Sequence, residues 1–132
     1  MQAKVEWRGG LSFHGKTDSG YEATMDGDGK AISPMESVLV AVGACSSVDV
    51  VEILRKARQD LQACHCELSA ERAAEPPRVF TKIHAHYVVK GSDIKEKHLA
   101  RAVQLSAEKY CSVMLMLHET VDVTTSYAIE SA

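Results

Sequence analysis

Residues 33–51 read SPMESVLVAVGACSSVDVV, and this stretch predicts a long buried helix. Ser33 can cap the helix, Pro34 fits the first helical position, and Glu36 completes a capping box. After these residues nearly every face is apolar or small, so the helix must be covered on all sides by its own sheet or by a second subunit. We expect it to end near Arg58, after roughly 24 residues.

The segments on either side of this helix carry strand and helix patterns. Strands are expected at 2–8, 11–13 and 21–25, a hairpin at 64–70 and 78–90, helices at 94–110 and 113–117, and a last strand at 121–129. Gly9-Gly10 predicts the first turn, and residues 74–77, AEPP, predict the turn of the hairpin. Asp93 and Glu96 are expected to cap the second helix. The order βββ-α-ββ-αα-β indicates an α+β fold, with helices covering one side of mainly antiparallel sheets.

The composition limits the function. The chain has 132 residues, of which 25% are charged and 45% hydrophobic, and its net charge is −3. These values are typical of one soluble domain, residues 1–132, and give no electrostatic reason to expect nucleic acid or a membrane as a partner. The start MQAKVE lacks the apolar core of a signal peptide. No apolar run reaches the roughly 20 residues of a membrane span, so we expect a cytoplasmic protein.

Four cysteines in a reducing compartment are expected to be free, catalytic or metal-binding rather than paired in structural disulfides. Cys45 lies in the middle of the long helix, and Cys111 ends the second helix; both have small or hydroxyl residues as neighbours. A buried cysteine can simply be a small hydrophobic residue. The residue types alone therefore leave a structural and a reactive interpretation open.

Three sequence features occur together in this chain. They are SPME at 33–36, Cys45 eleven residues after Pro34, and a second helix that ends in SAEKYCSV at 106–113. Their order and both cysteine positions resemble the OsmC/Ohr family of thiol-dependent peroxidases over essentially the full length. Within that family the chain is most similar to the YhfA-like branch.

This resemblance implies a fold, an activity and partners. The fold would be antiparallel sheets packed around a long central helix in an intertwined homodimer. The activity would be reduction of organic hydroperoxides, including those of fatty acids, in which Cys45 attacks the peroxide and Cys111 resolves the product as a disulfide. The partners would be a small hydroperoxide and a dithiol reductant of the lipoyl type, with no cofactor and no metal.

A thiol needs a cation or a helix N-terminus beside it to ionise near neutral pH, and Cys45 lies too deep in its own helix to use that dipole. In better-known branches an arginine of the first hairpin and a glutamate just after the proline position the thiolate. Here the candidates are Arg8 and Glu36. The chain departs from the family pattern at Met35, which directly follows the proline, and at Ser112, where proline is common.

Two other functions stay open. One is a non-enzymatic protein of the same fold that binds a small apolar or thiol-reactive ligand at the dimer crevice. The other is a structural protein stabilised by zinc, with Cys64 and Cys66 facing His84 and His86 across the second hairpin.

Two carboxylates follow Cys45 on the same stripe of the long helix. They are Asp49 and Glu52, four and seven residues further on. A carboxylate beside a thiol raises the pKa of that thiol and so opposes its ionisation. We therefore expect both to be helix-surface or dimer-contact residues.

Overall fold

A computed structural model describes all 132 residues and confirms the predicted α+β order. The elements are β1 (Ala3–Trp7), β2 (Ser12–Thr17), β3 (Glu22–Asp26), α1 (Pro34–Lys56), β4 (Asp60–Arg72), β5 (Phe80–Ser92), α2 (Glu96–Leu105), α3 (Ser112–Leu117) and β6 (Asp122–Ser131). A single turn of π-helix, Ser106–Tyr110, joins α2 to α3. The chain forms two compact units, Met1–Leu39 and Val40–Ala132.

The first unit is a three-stranded antiparallel sheet in the order β1-β2-β3, followed by the start of α1. The predicted Gly9-Gly10 turn joins β1 to β2. Both glycines have positive φ angles, 96° and 54°, a region of backbone space that glycine enters at little cost. The turn closes through a hydrogen bond of 2.8 Å from the Arg8 amide to the Ser12 carbonyl.

Helix α1 begins with the predicted capping box. The Ser33 amide donates to the Glu36 carboxylate at 2.9 Å, and the Glu36 amide donates to Ser33 Oγ at 3.0 Å. These two bonds satisfy amide groups that the first turn of a helix otherwise leaves without partners. The helix runs for 23 residues and ends at Lys56, two residues before the predicted end.

The sheet of the second unit has the order β4-β5-β6. Strands β4 and β5 form the predicted antiparallel hairpin, but β6 lies parallel to β5, with Ile83 opposite Val123 and Val89 opposite Ile129. Strand β6 runs parallel to β5 because α2 and α3 first lead the chain back to the edge of the sheet at which β5 begins. The expectation of mainly antiparallel sheets therefore holds for every strand pair except this one.

The central strand β5 and the helices of the second unit supply the core. Its completely buried side chains include Val42, Val50 and Leu54 of α1, Tyr87 and Val89 of β5, and Leu99 of α2. Gly43 brings α1 close to β4, because a Cβ atom at this position would lie 2.6 Å from Leu68 Cδ1. The helix therefore packs on the sheet at the level of Gly43, two residues before Cys45.

Other faces of α1 are exposed in the single chain. Val40 is 56% exposed and Val48 is 57% exposed. The helix is also long and apolar enough to cross a membrane by length and composition, which corrects the expectation that no such run exists. The core helix of a protein in water meets the same test, so length and composition do not distinguish the two.

The predicted cap of α2 is wrong. Lys95 occupies the N-cap position and makes no side-chain capping bond. Asp93 instead has a positive φ of 54°, and its carboxylate accepts from Lys95 Nζ at 2.9 Å. Glu96 accepts a hydrogen bond of 2.7 Å from the Tyr127 hydroxyl. Both carboxylates therefore have other partners.

Candidate active site

The second unit brings Cys45 of α1 to the start of α3. Cys45 Sγ lies 3.8 Å from Ser112 Oγ, although 67 residues separate them in the chain. The Cys45 side chain is partly exposed, so a small molecule can reach its sulfur. Because Ser112 is the first residue of α3, the free amide groups of that helix lie beside the thiol.

These amide groups lower the pKa of Cys45 below its ordinary value. The largest cause is a hydrogen bond from the Val113 amide to the sulfur, and burial acts in the opposite direction. The Cys111 thiol and the hydroxyl and amide of Ser112 add further hydrogen bonds that favour the thiolate. The dipole that α1 cannot supply at Cys45 is thus replaced by donors at the start of another helix.

Cys111 is completely buried next to Cys45 and has a different chemistry. It is the N-cap residue of α3, and its sulfur accepts a hydrogen bond of 3.4 Å from the Met114 amide. Burial, together with the hydrogen bond that it donates to Cys45, raises the pKa of Cys111 to about 11. The arrangement therefore makes Cys45 the more readily ionised of the two adjacent thiols.

Ser106 connects the segment that holds Cys111 to helix α1. The Ser106 carbonyl accepts a hydrogen bond of 2.8 Å from the Cys111 amide, which closes the π-helical turn. Its completely buried hydroxyl lies 2.8 Å from Asp49 Oδ2, to which it donates, and 3.2 Å from the Ser46 carbonyl. Asp49 is therefore not only a surface or dimer-contact residue, as the sequence suggested. Glu52 is exposed, as that prediction requires.

A second buried hydrogen bond lies behind Cys45. The Tyr87 hydroxyl of β5 donates to Ser46 Oγ at 2.6 Å, and Ser46 Oγ donates to the Val42 carbonyl at 2.7 Å. Tyr87 and Ser46 are completely buried, and burial is the main cause that raises the pKa of Tyr87. The hydrogen bond between Tyr87 and Ser46 therefore joins α1 to β5 at the residue that follows Cys45.

The two candidate activating residues lie in the first unit. Arg8 stands at the end of β1 beside the glycine turn, with its guanidinium 4.0 Å from Glu6 and its side chain 55% exposed. Glu36 fills the capping box, and its hydrogen bonds with the Ser33 backbone and side chain lower the pKa of the carboxyl. The capping role of Glu36 is confirmed, while the activating roles of Arg8 and Glu36 stay predictions.

The zinc alternative required Cys64 and Cys66 to face His84 and His86 across the second hairpin, and the observed register does not bring them together. In the observed register Cys64 lies opposite Val89, and Cys66 lies opposite Tyr87. His84 and His86 alternate with the buried residues of β5 and point to the other face of the sheet. There the His84 Nε2 and His86 Nδ1 atoms contact Ser126 Oγ at 2.7 and 2.6 Å. No three His, Cys, Asp or Glu side chains are grouped so that they could hold a metal ion.

Sequence reasoning missed three residues that shape this site: Ser106, Tyr87 and Ser112 in its role as a donor. Ser112 carried a signal, because it stands where the family commonly has proline, and a proline would have no amide to offer. Ser106 and Tyr87 gave none. Ser106 bonds to Asp49 of α1, which lies 57 positions away in the chain, and Tyr87 bonds to Ser46 of α1, which lies 41 positions away.

Comparison with known proteins identifies the family of this chain. The sequence pattern of the family described as "OsmC-like protein" matches residues 27–126. The chain therefore belongs to the OsmC-like family, which confirms the resemblance. It is 53% identical to Protein YhfA of Escherichia coli strain K12 over 134 aligned positions, with 100% of both chains covered.

Solved structures agree with this assignment. A hypothetical protein from Aquifex aeolicus VF5 has a TM-score of 0.91 and 34% identity, covering 99% of this chain and 96% of the other. An organic hydroperoxide resistance protein OsmC from Legionella pneumophila has a TM-score of 0.72 and 19% identity, covering 96% and 95%. At that identity the second likeness concerns the fold alone.

Proposed function

We propose that this protein reduces organic hydroperoxides, including those of fatty acids, with Cys45 as the nucleophile and Cys111 as the resolving thiol. The observation that carries the proposal is the asymmetry between two adjacent thiols. Cys45 is accessible and its thiolate is stabilised by donors at the start of α3, whereas Cys111 is buried and held neutral. Family membership and the fold shared with a hydroperoxide resistance protein support the same chemistry.

The first step is attack by the Cys45 thiolate on the terminal oxygen of the hydroperoxide, ROOH. A sulfur–oxygen bond forms, the oxygen–oxygen bond breaks, and the alkoxide leaves as the alcohol after taking a proton. Cys45 becomes a sulfenic acid, two electrons more oxidised than the thiol. The hydroxyl of Ser112 is placed to hydrogen-bond the anionic sulfur before the attack.

The second step is attack by Cys111 on the Cys45 sulfenic acid. A disulfide forms, and the hydroxyl of the sulfenic acid leaves as water together with the proton of the Cys111 thiol. A dithiol reductant then exchanges with the disulfide, restores both thiols and is itself oxidised to a disulfide. We propose a reductant of the lipoyl type, because its two thiols complete the exchange by closing into a cyclic disulfide.

We further propose that the protein acts as an intertwined homodimer in the cytoplasm, with 1–132 as one domain of each subunit. The exposed valines of α1 support this proposal, because a helix that is apolar on nearly every face needs a second covering surface. In better-known branches of the family an arginine of the first hairpin and a glutamate just after the proline position the thiolate, and we propose Arg8 and Glu36 as the activating residues here.

The decisive experiment measures hydroperoxide consumption by the purified protein. Cumene hydroperoxide is compared with hydrogen peroxide, each with dithiothreitol or dihydrolipoamide as the reductant. Wild type is expected to consume the organic peroxide and Cys45→Ser to lose essentially all activity. Cys111→Ser is expected to react once with peroxide and then to turn over slowly, because no neighbouring thiol resolves the sulfenic acid.

Cys64→Ser is the matched control, since it removes a partly buried cysteine that lies on the sheet rather than beside α3. Full activity is expected for this variant. A folded wild-type protein that consumes neither peroxide would contradict the proposal. Protection of Cys45 from alkylation by a small apolar ligand, without turnover, would then support the ligand-binding alternative.

A further inference from the structure

The buried hydroxyl of Ser106 joins the two segments that carry the candidate cysteines. Asp49 lies one helical turn after Cys45 on α1, and Ser106 begins the turn that ends at Cys111. The hydrogen bond from Ser106 Oγ to Asp49 Oδ2, 2.8 Å long, therefore links α1 directly to the chain that leads to Cys111. It is a charge-assisted bond to a partly buried carboxylate, the stronger kind of hydrogen bond.

The backbone of the same residue fixes Cys111. The Ser106 carbonyl accepts from the Cys111 amide at 2.8 Å, five residues further along the chain. A regular α-helix would make this bond over four residues, so the π-helical turn adds one residue before Cys111. One residue thus holds α1 with its side chain and Cys111 with its backbone.

We infer that Asp49 and Ser106 are positioning residues that hold Cys111 against Cys45 and so control how fast the oxidised site closes into a disulfide. This inference rests on the proposed function. Neither residue contacts the peroxide in this scheme. Both act through the placement of Cys111, whose rate of attack depends on its effective concentration at the Cys45 sulfur.

The consequence concerns two competing fates of the Cys45 sulfenic acid. In the first, the Cys111 sulfur displaces water and a disulfide forms. In the second, another hydroperoxide molecule transfers its terminal oxygen to the Cys45 sulfur, which becomes a sulfinic acid while the peroxide leaves as alcohol. A looser Cys111 slows the first reaction and leaves the second unchanged. The hydrogen bond therefore sets the peroxide concentration at which the site is inactivated.

The test measures the Cys45–Cys111 disulfide without any peroxide. The purified protein is equilibrated with mixtures of reduced and oxidised dithiothreitol, and the disulfide fraction gives the effective concentration of one thiol at the other. Ser106→Ala and Asp49→Ala are each expected to lower this value about tenfold, since each removes one partner of a charge-assisted bond. The double variant is expected to lose no more than Ser106→Ala alone, because that variant already removes both contacts of the hydroxyl, to Asp49 and to the Ser46 carbonyl.

Two variants separate positioning from damage to the fold. Asp49→Asn keeps the shape and an acceptor oxygen, and is expected to retain a value closer to wild type than Asp49→Ala does. Glu52→Ala is the matched control, because it removes an exposed carboxylate from the same helix and should leave the disulfide equilibrium unchanged. Circular dichroism spectra and thermal midpoints check that each variant is folded.

A second readout follows over-oxidation under rising cumene hydroperoxide. Mass spectrometry of the Cys45 peptide is expected to show sulfinic acid at about tenfold lower peroxide in Ser106→Ala than in wild type, with an unchanged rate for the first reaction. Equal effective concentrations in wild type and in the folded variants would overturn the inference. Absence of any Cys45–Cys111 disulfide in wild type would instead overturn the two-cysteine mechanism, so the two failures are distinct.

Discussion

At Cys45, neutral hydrogen-bond donors stabilise the thiolate, a role that a cation has in many reactive thiol sites. The Val113 amide is the main contributor, and the Ser112 amide, the Ser112 hydroxyl and the Cys111 thiol add to it. Hydrogen bonds to an anion are among the stronger ones in proteins, and they require no second charge beside the sulfur. The departure from the family pattern at Ser112 therefore adds donors where a proline would have removed one.

Ser112→Ala is expected to raise the pKa of Cys45, because one donor to the thiolate is lost. A higher pKa leaves less thiolate at a given pH below it, so alkylation by iodoacetamide near pH 7 should slow by about three- to tenfold. The pH profile of the rate should move to higher pH. Ser112→Thr keeps the hydroxyl and should behave like wild type.

The measurement is the alkylation rate of the Cys45 peptide, followed by mass spectrometry from pH 5 to 10. Ser69→Ala serves as a control, since it removes an exposed hydroxyl of β4 on the face of the sheet away from the core. An identical profile for Ser112→Ala and wild type would show that the hydroxyl does not act on the thiolate.

Residue-level predictions from the sequence succeeded where the interaction is local. The capping box joins residues three positions apart, and its residue types identify it. The Asp49–Ser106 and Ser46–Tyr87 bonds join residues far apart in the chain, and serine and tyrosine are too common for their pairing to be read from one sequence. For the same reason the sequence around Cys45 does not show the donors that α3 supplies to it.

At the level of elements, two glycines permit close contacts of different kinds. A Cβ atom on Gly91 of β5 would overlap the Asp60 carbonyl oxygen, a backbone atom that cannot turn away. On Gly43 of α1 the nearest atom is the flexible end of Leu68. The first contact therefore fixes the backbone of the β4–β5 hairpin, and the second is set by a side chain that can adjust.

Gly91→Ala is expected to destabilise the fold by about 3 kcal/mol or more, because backbone must move to admit the methyl group. Gly43→Ala is expected to change stability by less than about 1 kcal/mol, since alanine favours the helix by a similar amount to that lost at Leu68. Urea unfolding of both variants measures the difference. A smaller loss for Gly91→Ala than for Gly43→Ala would contradict this account.

The order and type of the elements were predictable because turns and periodic apolar positions are local signals. The direction of β6 was not, since it depends on how far α2 and α3 carry the chain. The zinc hypothesis failed on register, which the turn alone does not determine. Next to the turn Arg72 pairs with Phe80, a register that would place Cys66 opposite His86, but an irregularity between Glu71 and Arg72 shifts the pairing by one residue and places Cys66 opposite Tyr87.

At the scale of the whole molecule, the proposed homodimer makes a direct prediction. Sedimentation velocity should give twice the 14.4 kDa mass of the chain. Val48→Glu is expected to weaken the dimer, because it places a charge on an exposed apolar face of α1 where a second subunit would bury it. Lys97→Gln, which changes an exposed charge on α2, is the control. A monomer at micromolar concentration in wild type would contradict the proposal.

Alkaline pH is expected to destabilise the reduced protein. Burial is the main cause that raises the pKa of both Cys66 and Cys111 to about 11, and it also raises that of Cys64. The unfolded chain releases these protons at the ordinary thiol pKa, so above that pH it binds fewer protons than the folded chain. Stability is therefore fully present below the ordinary thiol pKa and is lost as the pH rises toward about 11.

Urea unfolding at pH 7, 9 and 10 under reducing conditions measures this loss. Cys66→Ala should flatten the decline, because one of the raised groups is removed. Cys45→Ser should leave the alkaline decline intact, since the pKa of Cys45 is lowered in the folded chain. Equal stability of wild type at the three pH values would contradict the expected linkage.

The sulfur of Cys111 also caps the start of α3. It accepts the Met114 amide, and we expect a disulfide with Cys45 to weaken that hydrogen bond. The start of α3 would then exchange its amide hydrogens with solvent faster in the oxidised protein than in the reduced one. The NMR signal of the Met114 amide therefore reports whether Cys45 and Cys111 are reduced or joined in a disulfide. This measurement needs no label on the thiols.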